Sequence, residues 1–370
     1  MAGPWTTAHL AALADPDETP PFVPQPRVFA GQTVRQSIRL RRGGTALRLV
    51  LSNEFGRTPL VFEGVTVSDG PAGAVLPVLR HGRARWEIPP GETVTSDPVD
   101  LPTAAGADLL VSCFTAGAAR PGAFLHSAQR TGGVAPGDQR SRSTMTDAET
   151  FPSLYWITRV LTDAPAKRPT VLALGDSITR GDGTTVDREQ RYPDHLQRRL
   201  IAAGIGDAIV LNAGIGANRL LKPGVGPSMI DRFDRDVLGI TEATHVVIMA
   251  GINDIAGPDH PSADDITQGL FTLADRARNH GIQAILGTIT PFGASVYASF
   301  RADGNEDIRQ SVNHTVTTQD EWPAADFAAA VAAPHDPTRL ARQFDAGDGV
   351  HLSDVGARAL ADAVNLTDLT

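Results

Sequence analysis

Cysteine, excess positive charge and long apolar runs are what this sequence has least of. Cys113 is the only cysteine, which excludes an intrachain disulfide, a cysteine zinc cluster and a C-x-x-C redox pair. Lys and Arg number 33 against 42 Asp and Glu, a net charge of −9. That balance argues against nucleic acid or an anionic membrane surface as the main partner. No stretch approaches the roughly 18–20 consecutive apolar residues of a membrane span. Met1 to Pro16 lacks both the basic n-region and the continuous apolar h-region of a leader. As it stands the sequence reads as cytoplasmic, with secretion after removal of a leader as the alternative. What is present is 370 residues, 41% of them apolar, enough for a sizeable core and more than one ordinary domain.

The two halves of the chain have different grammars. From Arg27 to Val160, short β-prone runs alternate with Gly, Pro, Asp and Asn. Thr33–Leu40, Ala46–Ser52, Gly64–Val67, Ala107–Phe114 and Leu154–Leu161 are the clearest strands. No useful helical period interrupts them, so an antiparallel β-sandwich is expected over residues 1–162. Residues 163–169, with Pro165 and Pro169, read as a linker. Over 170–370, apolar runs alternate with helical patterns. Val171–Leu174, Ala208–Leu211, His245–Ala250 and Gln283–Leu286 are apolar almost throughout, as strands buried on both faces should be. Helices are expected over Asp187–Ala203, from a Ser262 cap to Asn279, and from near Ser353 to Val364. This alternation specifies an α/β domain with a mainly parallel sheet.

In such sheets the ligand site lies beyond the carboxyl ends of the strands. The first run exits into Gly175-Asp176-Ser177, the second into Asn212-Ala213-Gly214, and the third into Gly251-Ile252-Asn253-Asp254. Asp348-Gly349-Val350-His351 precedes the final helix. Ser177, at a strand-to-helix turn, is a candidate nucleophile. A serine hydroxyl needs an adjacent base; His351 is the candidate, with Asp348 to hold its tautomer and stabilise the imidazolium. The N–H groups of Ser177 and Gly214 and the side-chain amide of Asn253 are candidate oxyanion donors.

Each group has a plainer reading in isolation. Ser177 is an ordinary helix cap, and Asp348-x-x-His351 is a surface turn or half a metal site. Gly214-x-Gly216 fails as a dinucleotide loop, because Arg219 holds the third glycine position. Asp176 suits a cap better than proton transfer, and Asp254 and Asp326 suit structural roles. His126 reads as a surface or packing histidine. Tyr155 and Trp156 suit interdomain packing better than a sugar platform. Phe292, Tyr297 and Phe300 fall in a long segment that either shapes a pocket or covers the core.

Taken together and in order, the four segments resemble the SGNH hydrolases of the GDSL esterase/lipase family, whose named residues fall on Ser177, Gly214, Asn253 and His351. The resemblance runs from Val171 to about Val364 and implies a flavodoxin-like three-layer α/β/α domain. The N-terminal half resembles the jelly-roll-like β-sandwich of a two-domain bacterial subgroup, most clearly at Gln32-Thr33-Val34-Arg35 and Leu51-Ser52-Asn53-Glu54-Phe55-Gly56. Ile178 replaces the family's leucine. Leu352 stands where many relatives have proline, which implies a less rigid loop around His351. The resemblance implies a serine esterase or acetylesterase, with a catalytic triad of Ser177, His351 and Asp348 and an acyl-enzyme intermediate. A small-molecule or carbohydrate ester is the expected substrate, and neither a metal nor an organic cofactor is required. No sequence feature sets an oligomeric state. An acyltransferase using the same serine and a catalytically silent glycan-binding protein are the alternatives.

Overall fold

The computed structural model describes residues 5–17, 19, 23, 25–166 and 169–370. The chain divides into two compact units between residues 166 and 167. Of the expected linker, residues 167 and 168 lie outside the described residues. Its first residue is fastened to the first unit, because the Asp163 carboxylate accepts from the N–H of Thr45 (2.8 Å) and Ala46 (3.1 Å).

The first unit is built from antiparallel sheets. A six-stranded sheet runs Glu149–Phe151, Gly132–Pro136, Gln32–Arg39, Asp108–Thr115, Gly64–Asp69, Leu76–Val78, and a four-stranded sheet runs Thr6–Leu10, Ile157–Thr162, Leu47–Ser52, Thr93–Thr95. The alternating patterns explain the pairing: Val34, Ile38, Leu109, Val111 and Cys113 are all buried, while Arg35, Ser37, Arg39, Asp108, Leu110 and Phe114 beside them are more exposed. One run departs from expectation. Leu154–Leu161 is broken into Leu154–Tyr155 and Ile157–Thr162, because Trp156 takes a positive φ of 49°, uncommon for a bulky side chain. The break turns the indole inward, 5.0 Å from the Phe62 ring and 5.5 Å from Phe29. Tyr155 and Trp156 are therefore core residues of this unit, and their burial corrects both readings offered for them. His126 packs near Phe124. The Cys113 thiol is fully buried, and burial pushes its pKa up to about 12, which keeps it unreactive.

In the second unit, β1 (Thr170–Gly175), β2 (Ile209–Gly214), β3 (His245–Met249), β4 (Gln283–Gly287) and β5 (Ala324–Ala325) form one parallel sheet in the order β2-β1-β3-β4-β5. This is the flavodoxin-like order, with its topological switch beside β1. Every residue of β1 and β3 is buried. The main helices are α1 (Ser177–Arg180), α2 (Tyr192–Ala202), α3 (Ala263–Asn279), α4 (Asn305–Thr318) and α5 (Asp354–Ala363). α2 packs on α5, and α3 on α4. Helix α2 starts later than the expected Asp187, because Pro193 lies in its first turn and the Asp194 carboxylate there accepts from the N–H and the guanidinium of Arg191. Ser262 and Asp265 cap α3 reciprocally, each side chain accepting from the other's N–H, and Ser353 caps α5. Among the described residues, no helix is long and apolar enough to cross a membrane.

Candidate active site

Strand β1 delivers the first side chain. Asp176 caps α1 by accepting from the Ile178 N–H at 2.9 Å, so Ser177 opens a one-turn helix. Asp176 is fully buried, and that burial pushes its pKa up to about 7 against the opposing Ile178 hydrogen bond. The turn closes when the Gly181 and Asp182 N–H groups both donate to the Ser177 carbonyl, at 2.8 and 3.0 Å.

The second segment arrives from the far end of the unit. Asp345 Oδ1 accepts from the N–H of Gly347 and Gly349, and Asp348 Oδ1 from those of Val350 and His351, at 2.7–3.0 Å. Leu352 is buried beneath. Carboxylates thus brace the loop around His351, in which Leu352 stands where many relatives have proline. The approach of the two segments requires glycine at 183, with φ +87°; a Cβ there would lie 2.6 Å from that of Ala346 and 2.7 Å from the Leu352 carbonyl. Thr185 fixes the same junction through two 2.7 Å hydrogen bonds to the Asp354 carboxylate.

At this junction the Ser177 hydroxyl lies 2.8 Å from His351 Nε2, and Asp348 Oδ2 lies 2.6 Å from Nδ1. Residues 174 positions apart are brought within hydrogen-bonding distance. Burial alone would lower the His351 pKa; the Asp348 hydrogen bond and the Asp182 and Asp348 charges outweigh it and raise it above the ordinary histidine value. Burial works against ionised Asp348, yet the hydrogen bonds and charge of His351 hold it well below the usual carboxylate range. Asp182 was not singled out in the sequence. Its Oδ2 lies 4.0 Å from His351 Nε2.

The expected oxyanion donors divide. The Ser177 N–H faces no protein acceptor among the described residues, and the Asn253 amide uses only one hydrogen, donating to the Asn218 carbonyl at 3.1 Å. Gly214 is a correction: its N–H donates to Asn212 Oδ1 at 2.9 Å, a side-chain turn of the kind asparagine makes two residues ahead. What Gly214 supplies is closeness, since a Cβ there would lie 2.3 Å from the Arg180 nitrogen. Three residues on, Ala217 adopts φ +55° in the left-handed region, and its N–H has no acceptor among the described residues.

Beneath these strand exits lies a residue that the sequence did not announce. Buried Arg232 donates to the Gly175 and Ala213 carbonyls at 2.8 Å, to Asn218 Oδ1 at 2.9 Å and to Asp236 Oδ2 at 2.8 Å. One guanidinium thus ties the end of β1 to the loop after β2. Asp254, similarly buried, accepts from the Leu220 and Leu221 N–H groups at 2.7 and 2.9 Å, which holds the far end of that loop. Asp326 caps the helix Phe327–Val331. Phe292 is buried, whereas Tyr297 is exposed and lies within 3.5 Å of Asp348 Oδ2, so the segment between them both covers core and borders the site.

Residues 173–359, half of the chain, match the model of the GDSL-like lipase/acylhydrolase family. The chain belongs to that family. This GDSL-family member is accordingly a carboxylic ester hydrolase. No curated protein matches it. Among solved structures it is similar to the aryl esterase of M. smegmatis, at 19% identity over 54% of this chain and 99% of that one with a TM-score of 0.45. It is also similar to the acetyl xylan esterase AlAXEase, at 25% identity over 53% and 97% with a TM-score of 0.42. A carbohydrate acetylesterase family member from Sinorhizobium meliloti matches at 21% identity over 52% and 94%, with a TM-score of 0.43.

Proposed function

We propose that the protein hydrolyses small or carbohydrate-like acyl esters, with Ser177 as nucleophile, His351 as general base and acid, and Asp348 as the residue that orients the imidazole. One observation carries this reading: Oγ of Ser177 at 2.8 Å from Nε2 of His351, whose Nδ1 is 2.6 Å from the Asp348 carboxylate.

Attack of Oγ on the ester carbonyl forms the C–O bond while its proton passes to Nε2. The Ser177 N–H, the Ala217 N–H and the free hydrogen of the Asn253 amide receive the developing oxyanion, with Ala217 taking the place first given to Gly214. Collapse breaks the bond to the leaving oxygen, and Nε2 returns the proton to it. Water then gives its proton to Nε2 and attacks the acyl-enzyme, and the proton returns to Oγ as the acid leaves. These steps use side chains, main-chain N–H groups and water. Ser177→Ala should lower turnover of 4-nitrophenyl acetate by at least about 10⁴-fold and abolish labelling by a fluorophosphonate. Turnover that survives the substitution undiminished would overturn the assignment.

A further inference from the structure

Asp182 is the acidic group on the reacting side of the imidazole that the steps above leave unused. Its main-chain N–H donates to the Ser177 carbonyl at 3.0 Å, which ties it to the nucleophile's own turn. Its carboxylate is gripped by Arg180, Nε to Oδ1 at 2.8 Å and a terminal nitrogen to Oδ2 at 2.5 Å. The Arg180 side chain is 4% exposed and that of Asp182 22%, so a buried fork presents a carboxylate to solvent in a fixed orientation. Each of its oxygens spends one lone pair on Arg180 and keeps another.

Position gives those lone pairs a use. Nε2 must reach the leaving oxygen to protonate it, at about 2.6–3.2 Å. Asp182 Oδ2 lies 4.0 Å from that same nitrogen. Whatever is attached to the leaving oxygen therefore passes close to the carboxylate. A hydroxyl on the adjacent carbon can donate to it, a methyl group leaves it without a ligand donor, and an anionic group is repelled.

We propose that Asp182, fixed by Arg180, is a specificity residue that accepts a hydrogen bond from a hydroxyl of the leaving alcohol, so that the preferred substrates are acyl esters of polyols or sugars. This rests on the Ser177–His351 reading. The plain alternative is that Asp182 serves only as counter-ion to buried Arg180.

A matched pair of esters separates the two: ethylene glycol monoacetate and propyl acetate share the acyl group and differ by one hydroxyl in place of a methyl. Followed by pH-stat with the full chain, native kcat/KM should favour the glycol ester by about tenfold to a hundredfold, as for one hydrogen bond to a charged acceptor. Asp182→Ala should bring that ratio close to one. Asp182→Asn, which keeps an acceptor and the shape of the turn, should give an intermediate ratio. Effects acting through the imidazole on both esters cancel in the ratio. A native ratio of one, or a ratio unchanged in both variants, would overturn the proposal in favour of the counter-ion. Ser177→Ala run beside them keeps the two readings apart. Inactive Ser177→Ala with an unchanged Asp182 ratio removes only this inference, whereas an active Ser177→Ala removes the mechanism beneath it.

Discussion

In the first unit three buried side-chain amides bond extensively to main chain. Gln36 bonds both the N–H and the carbonyl of Tyr155, Asn53 donates to the Thr58 and Ile88 carbonyls, and Gln139 bridges Pro136 and Thr146. Each imitates a missing piece of main chain and splices a loop onto a strand. In the second unit the buried polar groups include Asp176, Arg180, Arg232, Asp236 and Asp254, and these cluster where β1, β2 and β3 end. A buried charge costs far more than a buried amide. Its concentration at one sheet edge marks where the fold sacrifices stability for a preset electrostatic environment. Neutral polarity shapes the first unit; charge shapes the site of the second.

That contrast can be broken by removing one anchor from each unit. Trp156→Ala should cost about 3–5 kcal/mol through the cavity it leaves, read in denaturant unfolding with labelling of Cys113 as the local signal. Arg232→Met should cost about 1–3 kcal/mol by taking the buried donor from Asn218 Oδ1 and the Ala213 carbonyl while Arg235 still pairs Asp236, and should also lower kcat, because the loop after β2 loses its tie to β1. An Arg232→Met protein with native stability and native kcat would erase the distinction. Within the site, Asn253→Ala deletes one oxyanion donor and leaves the packing intact, so it should lower kcat by about 10²–10³-fold. Gly214→Ala should instead lower the melting temperature, through the collision with α1. If Gly214→Ala changed only turnover, the roles of Gly214 and Ala217 would have to be exchanged.

The smallest expected effect sharpens the comparison at a single proton. His351 must be neutral to accept the Ser177 proton, so kcat/KM should fall as pH drops through its pKa. With that pKa raised, the limb should lie above the ordinary histidine value of about 6.5. Asp348 faces Nδ1, while Asp182 faces Nε2 from the α1 turn, and the Asp176 charge also acts on the ring. Asp182→Asn removes one stabiliser of the imidazolium and should move the limb toward lower pH. A limb unmoved in the kcat/KM profile would show that Arg180 already neutralises Asp182, and one moved upward would refute its stabilisation of the imidazolium.

The sequence exposed the parts of this molecule whose physics is local. The apolar runs of β1 to β4 and the serine cap of α3 are patterns within one element. Helix α4 escaped notice because Ile308, Val312 and Val316 are few among polar residues, and its buried face also includes Arg309 and Asn305. Strand β5 has only two residues, too few for any period. At the site, the Ser177, Asp348 and His351 segments stood out by their place at strand exits and before the last helix. Gly214 misled because a glycine invites a main-chain role, although Asn212 two residues earlier was the signal that its N–H would be taken. Ala217 carries no mark of a left-handed residue, and the nearness of Asp182 to His351 exists only after folding.

The separation between Ser177 and His351 also has a bearing on synthesis. A nascent chain that has released strand β1 and its serine from the ribosome still lacks the base and the carboxylate that orients it. These come with the loop before α5, whose first turn is tied back to Thr185. Ester cleavage thus waits for residue 351, and a product stalled before residue 348 would carry the hydroxyl with nothing to activate it.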